Sequence, residues 1–359
     1  MSPAEIVDLL LRGGAAGASL ILAAVLAPLA VRSMSARFGT LFALGAACYA
    51  LGSAQPVAEA LPAFVTVLKA PAMLTGVFFW WFALALFCDA RRWTWAMFLP
   101  AAIIGLASIL DIFNALPRLV GAGHIASEII NAALMVHVIV MIVTGRHDDL
   151  VEPRRKFRTI WGGAIALTVF SVALGELWKR TGELPDFMHL IAASAIFVVT
   201  CGIVVWSLSA QPDFFHESPA RKPLSVAAGD EAIEAADRHL AGQLREAMAE
   251  GVYRTPGLTV GALADRLDAR EHRLRAVINQ QLGYRNFAAF LNEHRIEAAR
   301  SALGDPAQAR RQILQIALDL GYGSIAPFNR AFREITGATP TAYRRRALED
   351  GAMATAAAE

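Results

Sequence analysis

Apolar residues fall along this chain in two different patterns, and the change between them divides it. Through the first 210 residues they come in seven nearly unbroken runs, near 13–31, 38–54, 70–88, 94–113, 122–144, 158–178 and 188–208. Most of these runs are about 20 residues long, the length a helix needs to cross a bilayer. The semi-apolar stretch Pro56–Lys69, between the second and third runs, reads as an interfacial helix outside the membrane. Beyond residue 209 the pattern turns amphipathic. Pro212, Pro219 and Pro223, with Ser218 and charged neighbours, predict a flexible tether. Ile233, Ala236, Leu240, Leu244 and Met248 then recur at threes and fours, predicting a helix over Asp230–Ala249. Its apolar stripe either packs on the next domain or pairs with its twin in a dimer.

The remainder predicts two helical pairs joined by a longer helix. In the first pair Thr259 is a plausible N-cap, and Leu263, Ala264 and Leu267 line the inner face. After a turn at Asp268-Ala269-Arg270, Leu274, Val277, Ile278 and Leu282 point inward, and Gly283 ends the helix. His272, Arg273, Arg275 and Asn279 face outward there. In the second pair Ile316, Ala317 and Leu320 form the stripe, and Gly321 stops the helix in the left-handed cap that only glycine enters without cost. Ser324 is a good N-cap for the following helix. Pro327 falls in its first turn, where a missing N–H costs nothing. Phe328, Phe332 and Ile335 face inward and Gly337 closes the helix. Ile325, Ala326, Asn329, Arg330 and Arg333 are left for the other face, a cationic hydrogen-bonding surface on a short rigid helix. That is what a reader of the DNA major groove needs.

The run Ile316-Ala317, Gly321-Tyr322, Ser324, Phe328, Arg330, Phe332, Gly337, Pro340 and Tyr343-Arg344 resembles the second helix-turn-helix of AraC/XylS-type transcription regulators. The segment from Leu258 to Gly283 resembles the first, and Phe287–Leu303 the linking helix, with Phe290-Leu291 and Arg295-Ile296 in the expected places. The resemblance spans Tyr253 to Arg346, about a quarter of the chain. It implies two recognition helices placed in successive major-groove faces of an operator, a homodimer, and contact with RNA polymerase. Two positions depart from the family pattern. Ile278 stands where Phe is usual, and Ala276 where many members have Arg on the recognition face, which puts base reading by the first half in doubt.

Composition supports a membrane-bound front half. Hydrophobic residues make up 56% of the 359 positions and charged residues only 18%, too apolar for an ordinary soluble chain. Cys48, Cys88 and Cys201 all lie inside apolar runs without zinc-like spacing, so no disulfide framework, metal site or cofactor is expected. The net charge of +2 averages two unlike halves. Residues 253–346 hold 15 basic against 8 acidic side chains, which fits phosphate neutralisation local to the DNA module. Arg344 and Arg345 are expected on phosphates, Asn329 and Arg330 on base edges. The connections after runs one, three and five hold 9 basic residues, Arg91, Arg92, Arg146 and Arg154 among them, and those after runs two, four and six hold 4. The positive-inside rule therefore puts the N-terminus outside and the chain beyond 209 in the cytoplasm of a bacterial inner membrane.

Polar side chains inside the runs are the exceptions to explain. Asp111, Asn114, Glu128, Asn131, Glu176 and His189 lie at membrane depth, mostly toward the predicted outer half. Such groups are costly there and face the bundle interior. They line a pocket for a small polar or cationic ligand, or they hold the bundle together by interhelical hydrogen bonds. The connection 145–155 mixes acid and base and reads as a solvated, topology-setting loop attracted to anionic lipid; contact with the DNA module is the other reading.

The expectation is an all-α protein: a seven-helix transmembrane sensor or anchor over 1–209, a tether and amphipathic connecting helix over 210–249, an AraC-type domain with two helix-turn-helix motifs over 250–346, and a disordered Ala-rich tail over 347–359. It reads as a regulator and not an enzyme, with promoter DNA, membrane lipid and an unknown small-molecule or membrane signal as partners. Two alternatives remain: a transporter or intramembrane enzyme carrying a DNA-binding output, and a bundle that only anchors.

Overall fold

The computed structural model of the protein describes residues 2–88, 93–113, 117–145, 148–178, 186–209 and 230–356. The expected tether, Asn114 and the basic residues Arg91, Arg92, Arg146, Lys179 and Arg180 lie outside them, as do the side chains of Glu176, His189 and Ile233. Among the described residues the chain is all-α, without a strand. By internal packing it divides into two units, Met1–Arg146 with Glu152–Ser218, and His147–Val151 with Pro219–Glu359.

The first unit contains α1 (Pro3–Leu26), α2 (Met34–Gly52), α3 (Pro62–Met73), α4 (Thr75–Phe87), α5 (Leu99–Ile112), α6 (Pro117–Gly145), α7 (Gly163–Trp178) and α8 (Asp186–Ser209). Seven stretches here are long and apolar enough to cross a membrane, with α3 and α4 together forming the third, Pro62–Phe87. Helix α1 starts well before the first apolar run because Ser2 and Glu5 close a capping box, and Arg12 then pairs with Asp8 and donates to Ser53 Oγ. The interfacial helix expected over Pro56–Lys69 does not form as such. A short helix spans Gln55–Ala60, and Pro62 starts α3, which carries Lys69 into the third candidate span. The Lys69 ammonium meets Asp111 of α5 at 3.1 Å, so its charge does not stop the helix.

Helix α2 packs against α1, α3 and α4, while α6 packs against α4, α5 and α7. The core between them is aromatic: Phe79, Trp81, Phe82 and Phe87 of α4 are buried with Phe38 and Phe42 of α2. Arg154, fully buried, donates to the Leu86 carbonyl, and Arg158 donates to that of Phe87 and lies over its ring at 4.5 Å. One arginine from the predicted topology-setting connection and one from the start of the sixth apolar run thus cap the C-terminus of α4, satisfying carbonyls that have no helical partner.

The second unit contains α9 (Asp230–Ala249), α10 (Val260–Arg266), α11 (Glu271–Ala276), α12 (Phe287–Gly304), α13 (Ile313–Asp319), α14 (Ile325–Thr336) and α15 (Pro340–Ala356). Leu240, Leu244 and Met248 of α9 are buried in one core with Leu263, Leu274, Ile278, Phe290, Ile296, Phe328 and Phe332. That decides between the two readings of α9, whose stripe packs on its own unit. The stretch expected to be a disordered tail instead continues α15 to Ala356, in keeping with the helix propensity of alanine.

Two local expectations fail. Ile335 is 48% exposed, and the inner face of α14 is Phe328, Ala331 and Phe332, because the helix ends within one residue at Thr336. Ser324 takes the extended N-cap backbone but its side chain makes no capping bond. Gly321, with φ at +85°, does what was expected of it and more. A Cβ there would sit 2.5 Å from the Arg254 carbonyl oxygen, so the turn needs both the left-handed backbone and the missing side chain.

The core also contains a residue from far upstream. Leu150 is 3% exposed in it. Its N–H donates to the Arg285 carbonyl, the Phe287 N–H donates to the Asp148 carbonyl, and Asp149 forms an isolated antiparallel bridge with Asn286.

Candidate nucleic-acid interface and bundle cavity

In the second helix pair most of the residues expected to face DNA are exposed. Ala326, Asn329, Arg330 and Arg333 of α14 are exposed, Ile325 is half-buried, and Phe328 and Phe332 behind them are fully buried. The packed face fixes the helix, so the polar face is presented on a rigid element. Arg345 is exposed just beyond it. Arg344 is not a free surface cation. Its Nη1 donates to the Ala309 carbonyl at 3.3 Å, and its Nε and Nη2 are buried without a hydrogen-bond partner, so it ties α15 to the turn before α13.

The first pair differs. His272 is exposed on α11, but Arg273 forms an ion pair with Asp237 of α9. Asn279, expected on DNA, donates to the Tyr284 carbonyl at 2.9 Å and closes the turn around Gly283. Arg275 is also redirected. Its side chain is 8% exposed, with Nη1 on the Asp149 carbonyl at 2.8 Å and Nη2 on Glu271 at 2.6 Å. Of the four outward residues expected here, His272 alone is exposed without such a contact.

The two pairs are fastened by Arg295 of α12. It donates from Nε to the Tyr253 carbonyl at 2.7 Å and from Nη2 to the Thr255 carbonyl at 3.0 Å, and its guanidinium lies 5.2 Å from the Tyr322 ring centroid. Burial pulls its pKa down. Burial also pushes the Tyr322 phenol up to about 12, keeping it a donor to Asn292 Oδ1 at 2.9 Å. The family pattern around Arg295-Ile296 gave the signal for this residue, but not its partners.

The bundle contains a cavity of about 450 Å³ bounded by α1–α8. Three of the six membrane-depth residues singled out from the sequence, Asp111, Glu128 and Asn131, line it. One end is polar, with Asp111 between Lys69 at 3.1 Å and His124 at 3.6 Å. Asn131, 7% exposed, donates to the Met73 carbonyl freed by the break between α3 and α4; its Oδ1 is buried without a hydrogen-bond partner. Gly76 makes the room, since a Cβ there would lie 2.3 Å from that oxygen. Lys69 was missed as a cavity residue because it was read as the end of an interfacial helix outside the membrane.

No curated protein and no solved structure matches the chain. Residues 263–346 match the family model described as a helix-turn-helix domain. That match and the exposed face of α14 lead to one identification: residues 263–346 form an AraC-type helix-turn-helix domain, and the protein is a DNA-binding transcription regulator.

Proposed function

We propose that this is a membrane-bound, sequence-specific regulator in which a seven-span bundle senses a small polar or cationic ligand and an AraC-type domain on the cytoplasmic side reads an operator as a homodimer. The cationic, hydrogen-bonding face of α14 carries the DNA reading. Arg330 can fork onto guanine and Asn329 onto adenine, each such pair discriminating by about 1–3 kcal/mol. The cavity supports the sensing reading: a mostly apolar chamber ending in the Lys69–Asp111–His124 cluster, with an unpartnered carbonyl oxygen on Asn131, suits a small ligand that carries a donor. The signal requires a ligand that binds two bundle arrangements with different affinity. The excess of basic residues in alternate connections supports the orientation, with the N-terminus outside.

The test is a selection on a random-sequence duplex pool with full-length protein in nanodiscs, beside Arg330→Ala. Enrichment of a two-part motif spaced by about one helical turn, with the variant losing preference at one step, is the expected result. Salt-sensitive binding with no enriched motif would overturn sequence-specific reading. Binding identical with and without every small-molecule pool tried, in wild type and Glu128→Gln alike, would favour a bundle that only anchors.

A further inference from the structure

We propose that Asp148–Val151 is a strap that docks on the DNA-binding unit and masks its first recognition helix, holding Arg275 off DNA. A topology-setting loop would leave its side chains in water. Here Asp149 is 1% and Leu150 3% exposed, and the chain adds to the turn before α12 as one rung of antiparallel pairing. Backbone bonds on both sides of the rung give the contact its register, and Leu150 in the core gives it a single anchoring side chain. This is strand addition on a small scale, with the ligand supplied by the same chain. The Asp149 carbonyl accepts a hydrogen bond from Arg275 Nη1 across 126 positions of sequence. Arg275 is the one arginine of α11 that is buried, two positions beyond the half-buried Arg273 and three beyond the exposed His272.

The strap's two ends lead to helices that line the bundle cavity. Upstream it follows α6, which carries Glu128 and Asn131 and ends at Gly145. Downstream it runs into Glu152–Phe157, whose Arg154 is bonded to the Leu86 carbonyl at the end of α4, and α4 carries Gly76 at the cavity. A shift of α4 against α6 therefore changes the span the strap must bridge. The masking is independent of what the cavity binds, so it stands or falls separately from the sensing reading.

The experiment locks the strap. Asp149 and Asn286 face each other at a narrow, non-hydrogen-bonded position of the ladder, where side chains approach closely. Asp149→Cys with Asn286→Cys is made in full-length protein with Cys48, Cys88 and Cys201 replaced by Ser, and placed in neutral phosphatidylcholine nanodiscs. Binding to a fixed 40-base-pair mixed-sequence duplex is measured across a salt series, oxidised and then reduced. The reduced form is expected to bind on the order of tenfold more tightly, with a log–log salt slope steeper by about 0.9, one added phosphate contact. Arg275→Ala in the same background should abolish that difference. Arg330→Ala should weaken both states equally, showing that α14 is on the duplex in each. Leu150→Ala, which loosens the strap without a cross-link, should move binding in the reduced direction. Equal slopes in the oxidised and reduced forms, or tighter binding when locked, would overturn the masking.

Discussion

Replacing Arg295 by Met keeps the unbranched apolar stem of the side chain as far as the Nε position and removes its donors. Two buried carbonyls, of Tyr253 and Thr255, then lose charged hydrogen bonds of 2.7 and 3.0 Å, and Tyr322 loses the cation beside its ring. An unsatisfied buried acceptor costs about 1–3 kcal/mol, and the cation–π contact adds about 0.5–2. Against that, the variant recovers the desolvation that pulls the Arg295 pKa down. A net loss of about 2–4 kcal/mol follows for the join between α12 and the second helix pair. Hydrogen exchange on full-length protein in nanodiscs reads it locally, in peptides covering 252–258 and 316–322. Protection there should fall roughly 30- to 1,000-fold, at about 1.4 kcal/mol per factor of ten, with little change in α2. Arg295→Lys, able to serve one carbonyl as a point charge, should fall between. Protection within threefold of wild type in Arg295→Met would refute the claim that this guanidinium fastens the two pairs.

Other outcomes follow from the same geometry. Gly76→Ala puts a methyl 2.3 Å from Asn131 Oδ1 and should lower the unfolding midpoint of the bundle. The free thiols of Cys48, Cys88 and Cys201 report it through a thiol-reactive dye, and the loss should vanish in an Asn131→Ala background. His294 lies against Tyr253 and Phe290, and burial lowers its pKa below 6.5, with Glu293 opposing. A depressed pKa means the unfolded state binds the proton more readily. Stability is therefore full above about 6.5 and declines as pH falls through the folded value. Exchange protection in α12 should drop as pH falls below about 6.5, and His294→Phe should flatten the dependence; a flat wild-type profile would contradict it.

What the sequence made legible was whatever repeats. Seven apolar runs and the threes and fours of Leu240, Leu244 and Met248 are such signals, and their elements appeared close to the expected bounds except that the first and third spans begin eight to ten residues earlier. Polar residues at outward positions were less legible. Asn279 and Arg344 occupy outward positions by spacing, yet each turns back to a carbonyl left open by a nearby turn. A contact between Asp149 and Arg275 leaves no periodicity at all. Three acids and two aliphatics between basic residues look like a solvated loop until the chain is folded. Asp111, Glu128 and Asn131 were legible as cavity residues because a polar group at membrane depth needs a reason; Lys69 was obscured by lying beside the Pro71 that precedes the helix break.

Leu150 makes the reader a discontinuous domain, and this bears on how the protein is made. During synthesis Asp148–Val151 leaves the ribosome with its partner at Arg285–Phe287 still more than a hundred residues from being translated. The helices Glu152–Phe157, α7 and α8 are all made in that interval. A fragment cut in the tether would have every helix of the domain and still lack one leucine of its core, a gap that costs about 2–5 kcal/mol. A reader folded without the strap would thus be unmasked and weakened at once: Arg275 is released, and the core behind it is short of a leucine.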